Sequence, residues 1–315
     1  MPELLLAAIL VLFFFAVLTF AARGALKHVI NLSRTLRIPE FTIGFLFVGI
    51  IAIFPELSIG ISSALSGVSS FGLGIVFGSN IADLALITGL VAFFSGGIKL
   101  KSATISRSNF FVFITLLPVA LVLDGEISRI DGAILLLSFI FYVFFMLSHG
   151  NRKPVFEASD TRALEFDIGM LLIYIAIMLA AGHFITEIAM QMSSLLSVPL
   201  FFIGAVIAVG TCMPELVFAL QASKTKHGET GLGDILGNVF ADCLLTIGII
   251  ALISPIRPQN LGLVILTGSL MIAAMLVLVW FIHTDRKISK KEGAFLLALY
   301  FLFMALQWAG ESSLL

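Results

Sequence analysis

The sequence predicts an all-α membrane protein: ten transmembrane helices in two inverted five-helix repeats, with interrupted helices at an ion site. Three observations predict it. Of the 315 residues, 60% are hydrophobic and only 12% charged, an apolar share well above that of soluble domains. Four acidic residues interrupt otherwise apolar runs, and they repeat: Glu56 and Asp83 stand 159 positions before Glu215 and Asp242. At that offset Phe54-Pro55-Glu56-Leu57 falls on Met213-Pro214-Glu215-Leu216, and Gly78, Ala82, Leu86 and Gly89 fall on Gly237, Ala241, Leu245 and Gly248. Finally, placing the N-terminus outside puts 16 of the 18 Lys and Arg residues on the inner side, leaving Arg129 and Arg257 outside. That asymmetry sets orientation by the positive-inside rule.

At about 20 residues per crossing, the first half reads as spans near 3–22, 40–66, 71–96, 108–123 and 132–148. The first run, Leu4 to Phe20, has no basic leader, carries Glu3 and is followed by its basic residues, so it reads as a span rather than a signal peptide. Residues 1–148 form the first repeat. A mixed-charge linker over 149–166 is expected in the cytoplasm. The second repeat, 167–315, holds spans near 167–190, 197–223, 230–253, 260–282 and 292–309. Five spans per repeat, an odd number, insert the second repeat upside down relative to the first. The localisation expected is therefore the cell membrane, multi-pass, with both termini outside. Trp280 and Trp308 sit near span ends, as interfacial anchors do. The net charge of -1 says little about partners; the lipid bilayer is the expected one, with no nucleic acid and no obligatory protein partner.

A carboxylate at a helix centre costs roughly 2.5 to 3.5 kcal/mol on insertion scales, so four at matched positions read as a functional set. Pro55 and Pro214 precede the two glutamates at mid-span. Proline removes a donor and frees a preceding carbonyl, which membrane interiors tolerate only where protein, water or an ion satisfies it. Ser79 and Asn238 each lie four residues before an aspartate, on the same helix face. Gly78 and Gly237 permit close helix approach. An all-oxygen cluster of this kind suits a hard cation such as Ca²⁺. The same residues also read as two proline-kinked helices with glutamates facing a wet crevice. Asn80 is one step off the stripe and reads as a packing residue.

These segments resemble the paired repeats of the calcium/cation antiporter superfamily, which includes the sodium/calcium exchangers. Gly210-Thr211-Cys212-Met213-Pro214-Glu215-Leu216 is similar to the family's Gly-Thr-Ser-x-Pro-Glu-Leu motif, and Gly78-Ser79-Asn80-Ile81-Ala82-Asp83 to its Gly-Ser-Asn-Ile-Phe-Asn/Asp motif. The resemblance implies a secondary active antiporter that exports Ca²⁺ in exchange for Na⁺ by alternating access, without a cofactor and without enzymatic turnover. It implies metal ligands among Glu56, Glu215, Asp83, Asp242, Ser79, Asn238, Thr211 and, through its backbone carbonyl, Ala52. Departures bear on coupling. Ile51-Ala52-Ile53 replaces Gly-Thr-Ser, Cys212 replaces the serine before Pro-Glu, and Asn238 stands where Ser79 has a hydroxyl. Several hydroxyls that resemble sodium ligands are thus missing. Both late acidic positions are Asp, and four mutually repelling carboxylates favour taking up a proton or a cation. H⁺-coupled antiport of Ca²⁺ or another divalent cation is the alternative.

Other features absorb into this reading. Cys212 and Cys243 match no zinc spacing; Cys243 reads as packing, while Cys212 is a candidate for lining the ion path. The five histidines fall at span ends or loops, outside the acidic quartet. Asp234 at the start of a span reads as a helix N-terminal residue. Gly231-Leu232-Gly233-Asp234 resembles the Gly-x-Gly-Asp motif of intramembrane aspartyl proteases, a remote alternative, but the Tyr-Asp dipeptide such enzymes need is absent.

Overall fold

The computed structural model describes residues 2–35, 52–99, 102–148, 161–224, 228–285 and 287–312, and they are almost wholly helical. The chain opens with a long helix, α1 (Pro2–Thr35). A hairpin of α2 (Phe54–Leu65) and α3 (Ser69–Ile81) follows, and α3 continues through a π-helical turn (Ala82–Ile87) into α4 (Thr88–Ser95). Strand β1 (Ile98–Lys99) leads to α5 (Ser102–Leu121) and α6 (Arg129–Ser148). The second half begins with another long helix, α7 (Thr161–Leu196). After it come α8 (Leu200–Ile207), α9 (Met213–Lys224) and α10 (Gly228–Ala241). A second π-helical turn (Asp242–Thr246) joins α10 to α11 (Ile247–Ile253), then α12 (Leu261–Asp285), β2 (Lys287–Ile288) and α13 (Lys290–Ser312). The two short strands pair antiparallel, Ile98 with Ile288, tying the end of α4 to the end of α12.

Among the described residues seven stretches are long and apolar enough to cross a membrane: 3–29, 69–95, 164–196, 200–223, 230–253, 261–284 and 290–309. The protein is therefore a multi-pass helical membrane protein. Of the other expected crossings, 108–123 and 132–148 fall largely within α5 and α6, while 40–51 of the expected 40–66 lies outside the described residues, as does the linker up to 160. Both long helices outrun their predicted spans of 3–22 and 167–190, because the helix-forming Ala, Leu, Lys and Arg residues past the apolar edge let the backbone ladder continue.

Burial grades from the centre outward. The apolar window of the α3–α4 span is 89% buried, that of α7 only 22%, so the helix bearing Asp83 is enclosed by protein and α7 faces lipid. Gly78 lets α3 lie directly on α8, since an added Cβ would stand 2.6 Å from the Ala205 carbonyl oxygen. Gly237 departs from expectation: no described residue lies within 4 Å of where its Cβ would be.

The two long helices lie side by side and are pinned by a buried pair that joins the repeats. His28 Nδ1 meets Asp167 Oδ1 at 2.7 Å, Asn31 donates to the same carboxylate, and the Tyr174 ring stacks on the imidazole. Span-end positions gave no hint of it. Removing one partner of a buried pair strands the other, so His28→Ala should cost roughly 3 kcal/mol, and His28→Gln, which keeps a polar partner for Asp167, distinctly less. Thermal unfolding of the detergent-solubilised protein measures this; an unchanged midpoint for His28→Ala would show the pair to be inert.

Candidate functional site

The site is built from two helix starts at membrane depth. In the second half, α8 gives way to a 3₁₀ turn (Ala208–Gly210), and α9 starts at Met213, so Glu215 occupies its first turn. In the first half α2 starts at Phe54 with Pro55 in its opening positions and Glu56 in the first turn. Proline is accommodated there because an N-terminal helical residue has no intrahelical acceptor to reach. The glutamate behind it meets the positive end of the helix dipole. Both side chains are buried, each 4% exposed.

The aspartates come from the other two elements in matched fashion. Asp83 is the second residue of the π-helical turn that follows α3, and Asp242 is the first of the one that follows α10. A π turn is wider than an α turn and commonly marks functional positions. Each is buttressed by a threonine that sequence reasoning overlooked. Thr88 donates to the backbone carbonyl of Asp83 at 2.8 Å, and Thr246 donates to Asp242 Oδ1 at 2.9 Å. The four-residue step from Asp242 to Thr246 was the available signal.

Contacts within and across the repeats draw these elements together. Ser79 of α3 donates to Asp242 Oδ2 at 3.3 Å, and the Cys212 thiol, beside Asp83, reaches the Ser79 carbonyl at 3.6 Å. Asn238 donates to Glu215 Oε1 at 3.3 Å. Thr211 lies beside Glu56 while its hydroxyl donates to the Ala208 carbonyl at 2.7 Å. Ala52, Pro214 and Glu215 share the wall of one cavity. All eight expected site residues thus fall in one region, and Glu56 and Asp83 lie within electrostatic reach of each other and of both Glu215 and Asp242. Asn80 is turned away, donating to Cys243 Sγ and Met271 Sδ.

The acceptors are left incomplete. Glu56 Oε2, Asp83 Oδ1, Glu215 Oε2 and Asn238 Oδ1 are buried with no hydrogen-bond partner, whereas buried polar atoms are nearly always paired. Among the described residues no three His, Cys, Asp or Glu side chains stand close enough to form a metal cluster by themselves. A cation here would need neutral oxygens as well as the carboxylates, and Ser79, Asn238 and Thr211 stand between them.

This paired geometry has a counterpart among known proteins. The sodium/calcium exchanger protein family matches the chain twice, over residues 6–148 and 166–309. The chain belongs to the sodium/calcium exchanger family. Its relatives include the sodium/calcium exchanger MaX1 of Methanosarcina acetivorans, 27% identical across 91% of this chain and 95% of the relative. A putative antiporter, CaxA of Alkalimonas amylolytica, is 26% identical across 80% and 82%. The fold matches that of the sodium-calcium exchanger NCX_Mj in crystals soaked with Na⁺ and Sr²⁺, with a TM-score of 0.68 and 22% identity over 95% of this chain and 98% of that one.

In this exchanger-family chain the two halves are not equally closed. A cavity of about 380 Å³ leads to Glu215, walled by Ala22, Arg23 and Leu26 of α1, by Ala52, by Pro214, Val217, Phe218 and Gln221 of α9, and by Asp234 of α10. Shifting each by 159 lands on residues around Glu56 that are all buried. The contrast is sharpest at Gly182, the counterpart of Arg23: its Cβ would stand 2.7 Å from the Ser58 carbonyl carbon, so α7 lies flush on α2. The equivalents of Ser58 and Ile59 are Val217 and Phe218, which face the cavity instead. In the detergent-solubilised protein, where both faces are open to reagent, a hydrophilic maleimide should therefore modify Val217→Cys readily and Ser58→Cys hardly at all, with native Cys212 and Cys243 shielded by burial. Equal labelling of the two positions would contradict the asymmetry.

Proposed function

We propose that this protein is a secondary active antiporter that exports Ca²⁺ across the cell membrane in exchange for Na⁺ by alternating access, and that it is not an enzyme. The observation that carries the reading is the set of buried carboxylate oxygens on Glu56, Asp83 and Glu215 left without partners at membrane depth. Unpaired buried acceptors are costly, and a bound cation offsets the cost. Membership of the exchanger family and the likeness to the sodium/calcium exchanger MaX1 support Ca²⁺ and Na⁺ as the ions. Glu56 and Glu215 act as central ligands. Asp83 and Asp242 tune the charge and take the counter-ion, with Ser79, Asn238, Thr211 and the Ala52 carbonyl completing the oxygen set.

The architecture in this reading is ten helices in two inverted repeats, 1–148 and 167–315, joined by a cytoplasmic linker with both termini outside. Impermeant thiol labelling on intact cells should modify Ser313→Cys and spare Ser159→Cys; the reverse pattern would invert the orientation.

A second reading, H⁺-coupled Ca²⁺ antiport, is favoured by one observation. Hydroxyls that resemble sodium ligands are missing, with Ala52, Ile53 and Cys212 in their places, and the Cys212 thiol is a poor ligand for a hard cation. Ca²⁺ flux in proteoliposomes under an imposed Na⁺ gradient and, separately, a pH gradient distinguishes the two. Sodium coupling predicts flux under the first alone; flux driven by pH in sodium-free buffer would establish the second.

Glu56→Gln and Glu215→Gln keep side-chain shape and remove charge. Each should abolish Ca²⁺ transport by a folded protein. Near-normal uptake by either purified variant sinks the site.

A further inference from the structure

Asp234 is given no role among the ligands above, and the expectation of a helix N-terminal role does not hold. α10 starts at Gly228, so Asp234 stands in the helix interior. It is partly buried and lines the cavity together with Glu215. Asp234, Asn238 and Asp242 are spaced four apart, so they share one face of the helix and climb it in steps of about 6 Å. The middle rung, Asn238, holds Glu215 Oε1 by hydrogen bond, and Glu215 Oε2 is left without a partner although the residue is only 4% exposed. The ladder therefore runs from the open cavity to an unsatisfied buried acceptor. It exists on one side only: the counterpart of Asp234 is Ile75, fully buried against α8.

We infer that Asp234 is an antechamber ligand, a carboxylate that captures a divalent cation in the cavity and passes it to Glu215, and that it serves one face of the membrane only. This rests on the transport reading above. A negative charge in a cavity walled by low-dielectric protein concentrates cations locally. Arg23 stands exposed at the rim of the same cavity, where its positive charge opposes cation entry, so the attraction has to come from Asp234 and Glu215 deeper in.

The test uses the full chain in vesicles of both orientations, the cavity face being that from which a hydrophilic maleimide reaches Val217→Cys. With Ca²⁺ presented to that face, Asp234→Asn should raise the half-saturating concentration roughly three- to tenfold, the effect of one partly screened charge, with the maximal rate kept. Asp234→Glu should restore it. Presented to the opposite face, Ca²⁺ should show no shift. An equal shift on both faces, or none on either while the wild type transports, overturns the proposal. A wild type that moves no Ca²⁺ sinks the transport reading instead. In that event Tb³⁺ luminescence titration of the solubilised protein decides, and an unchanged isotherm for Asp234→Asn overturns the antechamber.

Discussion

Placing four carboxylates inside a bilayer is the constraint on which the rest of this structure turns. Hydrocarbon offers no hydrogen bonds, and several kcal/mol attach to each polar group left unmet there. The fold answers by giving every acid a different kind of local support. The glutamates sit in the first turns of α2 and α9, where exposed N–H groups and the helix dipole face them. The aspartates sit in π turns braced by Thr88 and Thr246. Close packing of α3 on α8 at Gly78 then excludes lipid from the enclosed helices, and the more peripheral α7 takes the lipid contact. Even so the support is partial, since Glu56, Asp83 and Glu215 each retain an unpaired oxygen. In the proposed antiporter that shortfall is what a cation fills, and it is why an unloaded site would be costly to carry across the membrane.

Duplication supplies this chemistry twice, but the copies diverge where movement would require it. The acids, prolines and π turns are matched; the packing around them is not. Gly182 allows α7 to lie flush on α2, while its counterpart Arg23 stands at the rim of a cavity between α1 and α9. A glycine seal permits backbone contact and excludes water. An arginine at the equivalent place cannot be buried that way without a partner, because a guanidinium is never neutral. The two faces of the molecule would thus close by different means.

Much of the site was legible from spacing alone, since the offset of 159 and the Pro-Glu pairs are local patterns that survive in one dimension. The four-residue steps from Ser79 to Asp83 and from Asn238 to Asp242 placed those side chains on shared faces, and the structure has Ser79 and Asn238 hydrogen-bonded to acids of the quartet. What was not legible depends on tertiary contact. A π turn has no compositional mark, because any helical stretch adopts it when packing requires. His28 and Asp167 are 139 positions apart, beyond any periodicity. Gly237 shares its motif position with Gly78 yet has no described neighbour, because a duplicated sequence does not oblige the two copies to adopt the same packing. Helix lengths erred for a related reason: hydropathy locates the membrane, not the end of the hydrogen-bond ladder.

The choice of coupling ion comes down to which oxygens are free. A sodium ion, like calcium, seeks several neutral oxygens, and this chain has exchanged hydroxyl positions for Ala52, Ile53, Cys212 and Asn238. Asn238 retains an unpaired amide oxygen, and it is already anchored through its amide nitrogen to Glu215. The amide therefore presents a fixed acceptor where Ser79 presents a rotatable hydroxyl engaged with Asp242. A fixed neutral oxygen between Glu215 and Asp242 suits a cation of either charge, whereas a thiol at Cys212, reaching the Ser79 carbonyl as a donor, suits neither. In the proposed antiporter this asymmetry would put a monovalent ion in the second repeat, beside Asn238 and Asp242, and leave the side near Cys212 and Asp83 to be balanced by a proton or by the divalent ion itself.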